Sequence, residues 1–179
     1  CYLKVVNYEK NKDMLQDVPY KKYMDLAVTI RMLVRVDETG MASAIVTHDH
    51  TARLGINEKD LYAAALKNTE FLFPVRINKL EDVIRSLDSN GLVQEELPDT
   101  GIYVLSNLPR IAGATTILYA QDQVTQLAGE LECGFYIVPS STNEVLLCPD
   151  NDEMDPEMLQ RTAMEVNKFV VSDTEFLSN

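Results

Sequence analysis

A chain of 179 residues with 46% hydrophobic content can bury a core as one ordinary domain or two small lobes, without covalent staples. Its formal charge of −12 repels phosphate backbones, which excludes nucleic acid and anionic membrane as expected partners. The three cysteines, Cys1, Cys133 and Cys148, are scattered, and no apolar run approaches the about 20 residues of a membrane span, so a reducing, cytoplasmic setting is expected.

Tyr2 to Asn7 reads as a short strand, and Glu9 to Gln16 as a helical piece closed by Asp17, Val18 and Pro19. Leu26 to Val36 and Met41 to Thr47 form a hairpin about the turn residues Asp37-Glu38-Thr39-Gly40. Asn57 is a good N-cap, Glu58 and Asp60 favour a helix start, and Leu61, Ala64, Ala65 and Leu72 recur at helical spacing. That predicts a helix from about Glu58 to Thr69, packed on the hairpin. Pro74 ends it, Val75 to Ile77 is a candidate strand, and Leu80, Val83, Ile84 and Leu87 make an amphipathic helical stripe.

Residues 86–101 are the most polar and turn-rich part of the chain, which divides it into an N-terminal lobe 1–88, a linker 89–101 and a C-terminal lobe 102–179. Ile102 to Leu105 and Thr115 to Tyr119 read as strands, and Val124, Leu127, Ala128 and Leu131 as one face of a helix. Phe135 to Val138 and Glu144 to Cys148 make a second hairpin around Pro139 to Asn143, with Val138 opposite Glu144 and Cys148 opposite Gly134. Both faces of this hairpin are apolar, so it is expected at the centre of a sheet, covered on both sides. Asp155 and Pro156 open a final helix, and Val170 onward is a second short helix or a tail. Two hairpins without a βαβ rhythm indicate an α+β fold of mainly antiparallel sheet with packed helices, in two lobes.

Two segments carry candidate chemistry. His48-Asp49-His50, on an extended strand, would point both imidazoles to one side, where they could share a metal with a carboxylate. The ordinary alternative is a polar strand end. Pro139-Ser140-Ser141-Thr142-Asn143-Glu144 presents hydroxyls on a rigid turn, without a Gly-x-Ser-x-Gly elbow or a nearby histidine. Such a turn either caps itself through side-chain to backbone hydrogen bonds or meets a ligand. Gly91, Gly101 and Gly113 are isolated, so no phosphate-cradling loop is present and no cofactor is expected.

The run Val6-Asn7-Tyr8-Glu9-Lys10-Asn11, with Asp17-Val18-Pro19 and Asp25-Leu26-Ala27, resembles the DUF5688 family, a domain family of unknown function found in gut Firmicutes. Tyr103 to Asn107, Gly113-Ala114, Pro139-Ser140-Ser141, Glu144-Val145 and Glu165-Val166-Asn167 extend the resemblance over nearly the whole chain. It implies a bacterial protein, a further N-terminal region ahead of Cys1, and a histidine where this chain has Asn143. It implies no activity. The reading is a non-catalytic intracellular binding or interaction domain for a protein or small-molecule partner, with Ser140, Ser141, Asn143 and Glu144 as its site. The alternative is a metal-dependent hydrolase using His48 and His50.

Overall fold

A computed structural model describes residues 1–37, 40–87, 97–108, 111–151, 155–169 and 175–178. Turn residues 38 and 39, the part of the 89–101 linker up to residue 96, and the segment 170–174 read as a helix or tail lie outside the described residues.

The first sheet is built around one long strand. β1 (Tyr2–Asn7) runs antiparallel to β3 (Leu26–Asp37), with Tyr2 facing Arg31 and Asn7 facing Leu26. Between them, a 3-10 turn (Glu9–Asn11) and α1 (Lys12–Leu15) are anchored by Asn7, whose Oδ1 accepts from the Lys10 N–H at 2.8 Å. β2 (Tyr20–Tyr23) and β4 (Gly40–Ile45) also pair with β3. Thr29 faces both Lys4 and Tyr20, and Arg31 faces both Tyr2 and Ile45. β2 and β4 therefore lie end to end along one edge of β3, and β1 along the other. β2 was not anticipated: Tyr-Lys-Lys-Tyr has no apolar alternation because the strand is an exposed edge.

α2 (His48–Leu54) occupies the segment expected to be a strand end. Thr47 is its N-cap: the Oγ1 accepts from the His50 N–H at 3.3 Å, and the Thr47 N–H donates to His50 Nδ1 at 3.1 Å. This reciprocal pairing satisfies two orphan donors, the second through an imidazole rather than the usual carboxylate. α3 (Glu58–Leu72) starts as expected, with Asn57 Oδ1 accepting from the Lys59 N–H at 2.8 Å, and it lies along β1.

The second sheet has the order β5-β6-β8-β7, all antiparallel. β5 (Val75–Lys79) is followed by α4 (Leu80–Leu87), and β6 (Tyr103–Asn107) pairs with β5 from across the polar stretch. Residues 113–118 form a 3-10 helix where a strand was expected. Ala112 enters it in the left-handed region (φ 50°), and the Thr116 hydroxyl donates to the Gly113 carbonyl at 2.6 Å, competing with a strand ladder. α5 (Gln121–Leu131) follows, then β7 (Gly134–Ser141), β8 (Glu144–Asp150) and α6 (Pro156–Phe169), whose Glu157 N–H donates to Asp155 Oδ1.

The β7–β8 register differs from expectation by two residues: Val138 faces Leu146, and Gly134 faces Asp150. A bulge at Pro139 and Ser140 absorbs the extra β7 residue, at a proline that has no N–H for the ladder. An even slip keeps every side chain on its expected face. β8 is interior, with Val145, Leu147 and Cys148 fully buried, but β7 is the sheet edge and Ile137 is 47% exposed. The hairpin is thus half sealed, not central.

One core joins the two sheets: Leu3, Val5, Val28 and Ile30 of the first pack with Leu105, Val145 and Leu147 of the second. The outer edge of β1 is closed by hydroxyls rather than by another strand. The Leu3 N–H donates to Thr69 Oγ1 at 2.8 Å and the Val5 N–H to Thr115 Oγ1 at 3.2 Å. Among the described residues no helix is long and apolar enough to cross a membrane.

Candidate functional site

The β7–β8 turn is knitted into the fold. Ser141 Oγ accepts from the Asn143 N–H at 3.1 Å, and Thr142 is buried, its N–H donating to the Glu175 carbonyl at 2.9 Å. Asn143 is held by backbone and side chain: its backbone carbonyl accepts from the Ser106 hydroxyl at 2.7 Å, and its Nδ2 donates to Glu175 Oε1 at 3.0 Å. The Ala114 N–H donates to the Thr142 carbonyl, and Gly113 packs so closely that a Cβ there would sit 2.0 Å from the Asn143 oxygen. Ser140 lies in the bulge and Glu144 opens β8 opposite Ser141, both half-buried. The structure thus brings Ser141, Asn143 and Glu144 together at the turn, with hydrogen bonds running to β6, the 3-10 helix and residue 175.

His48 and His50 sit in the first turn of α2, where residues two apart do not face each other. His48 Nδ1 is 2.8 Å from Glu58 Oε1, and His50 Nδ1 is committed to Thr47. The strand geometry that would have aimed both imidazoles at one ion is replaced by the helix. Among the described residues no group of three or more His, Cys, Asp or Glu side chains is placed to hold a metal. Cys148 is buried, which pushes its thiol up to about 11 and keeps it protonated at neutral pH. All three cysteines are free.

Beside the turn, the two sheets leave an open cleft of about 380 Å³. Val5, Leu26 and Val28 form the wall from the first sheet, Ile117 and Leu118 of the 3-10 helix the floor, and Ile137 of β7 and Tyr23 of β2 the lips. Of these side chains only Tyr23 carries a polar atom. Tyr23 is 65% exposed and adjoins Met24, which is 79% exposed and takes a left-handed φ of 53° to turn the chain into β3. The turn and the cleft share supports, because the 3-10 helix bonded to Thr142 also supplies Ile117 and Leu118. A smaller groove of about 120 Å³, also apolar, lies between the β3–β4 hairpin and the end of α2, at Met32, Leu54 and Ile56.

This cleft was not legible in the sequence because two of the elements that line it, β2 and the 3-10 helix, have weak local signals. The available signal was local: Pro19 ahead of Tyr20 and the Met24-Asp25 pair bracket a four-residue edge strand.

Fold and cleft together define a two-sheet α+β domain with a shared core and an apolar opening between its sheets. The chain matches the model of DUF5688, a family of unknown function, over residues 1–179, and it belongs to that family. No curated protein and no solved structure shows a significant match to it.

Proposed function

We propose that this chain is a non-catalytic binding domain that takes an apolar group of a protein or small-molecule partner into the cleft between its sheets. The observation that carries this reading is the cleft itself: about 380 Å³, open to solvent, lined by aliphatic side chains and one tyrosine. A pocket of this size and lining is the ordinary form of a ligand site. Each buried methylene of a ligand contributes about 0.8 kcal/mol, and the Tyr23 hydroxyl at the lip supplies orientation. The lining offers no acid, base or nucleophile suited to turnover at neutral pH. In this reading Ser140, Ser141, Asn143 and Glu144 hold the β7 wall, and a ligand meets the strand they brace. The free cysteines fit an intracellular, cytoplasmic location, and the charge of −12 fits a partner other than nucleic acid.

The test is titration with an uncharged apolar fluorophore such as Nile red. Saturable binding is expected, and Ile137→Asp, at an exposed lip position, is expected to weaken it about tenfold, equivalent to ~1.4 kcal/mol, with the fold retained. Ile84→Asp, at an exposed position outside the cleft lining, serves as the control. Equal binding by all three proteins would remove the cleft as the site. The metal-hydrolase alternative is tested by elemental analysis of protein purified without chelator: stoichiometric metal lost in His48→Ala would restore it.

A further inference from the structure

The opposite face of the first sheet holds two cations, Lys4 and Arg31, to which no acidic side chain is ion-paired among the described residues, Glu175 acting on Lys4 only through its charge. Lys4 faces Thr29 and Tyr2 faces Arg31, so Lys4 and Arg31 are diagonal neighbours across β1 and β3, within reach of each other as long side chains. Strand alternation turns both away from the cleft, whose wall takes the intervening Val5 and Val28. Tyr2, in edge contact with Phe73 at 5.1 Å, bounds the pair on one side, and Ile45, opposite Arg31 on β4, on the other. Thr29 beneath them is fully buried and donates its hydroxyl to the Lys4 carbonyl.

Both cationic side chains are half-buried, and among the described residues the buried Arg31 Nε has no acceptor. The chain carries 28 acidic residues, yet among the described residues none is ion-paired to Lys4 or Arg31. Burial and then the Arg31 charge lower the Lys4 pKa, and Glu175 opposes this only in part. Two adjacent, partly desolvated cations are costly unless an anion joins them. A guanidinium with unused donors beside an ammonium matches the geometry of an oxyanion.

We propose that Lys4 and Arg31 form a binding site for the oxyanion group, phosphate or carboxylate, of a ligand of this protein. The site is on the far side of the sheet from the cleft and does not depend on the cleft reading. An anion here lies against the half-buried Arg31 guanidinium and the Lys4 ammonium, neutralises the pair and competes with Glu175 for Lys4.

The test is NMR titration of the whole chain with inorganic phosphate and, separately, acetate, each against sodium chloride at matched ionic strength. Saturable amide shifts centred on Tyr2 to Val5 and Thr29 to Arg31 are expected. Lys4→Gln and Arg31→Gln should each weaken the response roughly tenfold, and Glu175→Gln should strengthen it severalfold. Lys4→Gln leaves the packing of Arg31 intact and decides the matter if Arg31→Gln does not fold. A stronger response to phosphate assigns a phosphate ester, and a stronger response to acetate a carboxylate. Shifts that match those in chloride, or that persist unchanged in Lys4→Gln, overturn the site.

Discussion

Gly113 shows how much one missing methyl group can matter. An added Cβ would meet the Asn143 oxygen at 2.0 Å and Ser106 Oγ at 2.2 Å, and the first of these is backbone that cannot swing aside. Gly113→Ala is therefore expected to destabilise by ~2–3 kcal/mol or more through overpacking, read as a fall in the urea midpoint. Ser141→Ala removes only the acceptor for the Asn143 N–H, at a half-buried position. Its expected cost is ~1 kcal/mol, with Nile red binding unchanged. Glu81 is a second residue whose role is set by its neighbours. Its Oε1 accepts from the Thr100 hydroxyl and the Thr100 N–H, both at 2.6 Å, which holds its carboxyl below the ordinary glutamate range. Because folding favours the charged form, this contribution is present above pH 4.5, the ordinary value, and is lost as the pH falls through the lower folded value. Thermal midpoints measured down that acid limb should fall less steeply in Glu81→Gln than in the wild type.

At the scale of elements, β1 depends on two threonines from outside its sheet. Thr69 Oγ1 accepts from Leu3 while donating to the Ala65 carbonyl at 2.6 Å, so Thr69→Val leaves a buried N–H without a partner at almost no change in volume. A loss of ~1–3 kcal/mol in chemical denaturation is expected. Amide exchange at Leu3 should quicken more than exchange at Ile30, its partner on β3. Elements with strong local signals were legible in the sequence: β1, the β3–β4 hairpin, α3 with its Asn57 cap, α4, α5, α6 with Asp155 and Pro156, and the β7–β8 pair. The failures share a cause, which is that tertiary or capping contacts outweighed local pattern. His48 to His50 became helical because His50 closes a capping box with Thr47. Thr115 to Tyr119, β-branched enough to read as a strand, became a 3-10 helix, in which Thr115 caps β1 and Thr116 bonds back to Gly113. The β7–β8 register slipped because the bulge at Pro139 is invisible to alternation alone. The turn residues could be located from sequence, but their partners Ser106 and Glu175 could not, being distant in the chain.

At the scale of the whole molecule, the two four-stranded sheets share a core, and the cleft opens where the 3-10 helix and β7 meet β1 to β3. A second, smaller apolar groove lies at Met32, Leu54 and Ile56 beside the β3–β4 hairpin. The larger volume, the tyrosine at its lip and the exposed Ile137 favour the cleft as the ligand site. The decisive measurement is a methyl-resolved NMR titration with an uncharged apolar ligand. The account predicts saturable shifts at Val5, Leu26, Val28, Ile117, Leu118 and Ile137, with Met32, Leu54 and Ile56 unmoved. Shifts confined to the hairpin groove, or no saturable shifts at the cleft methyls, would contradict it.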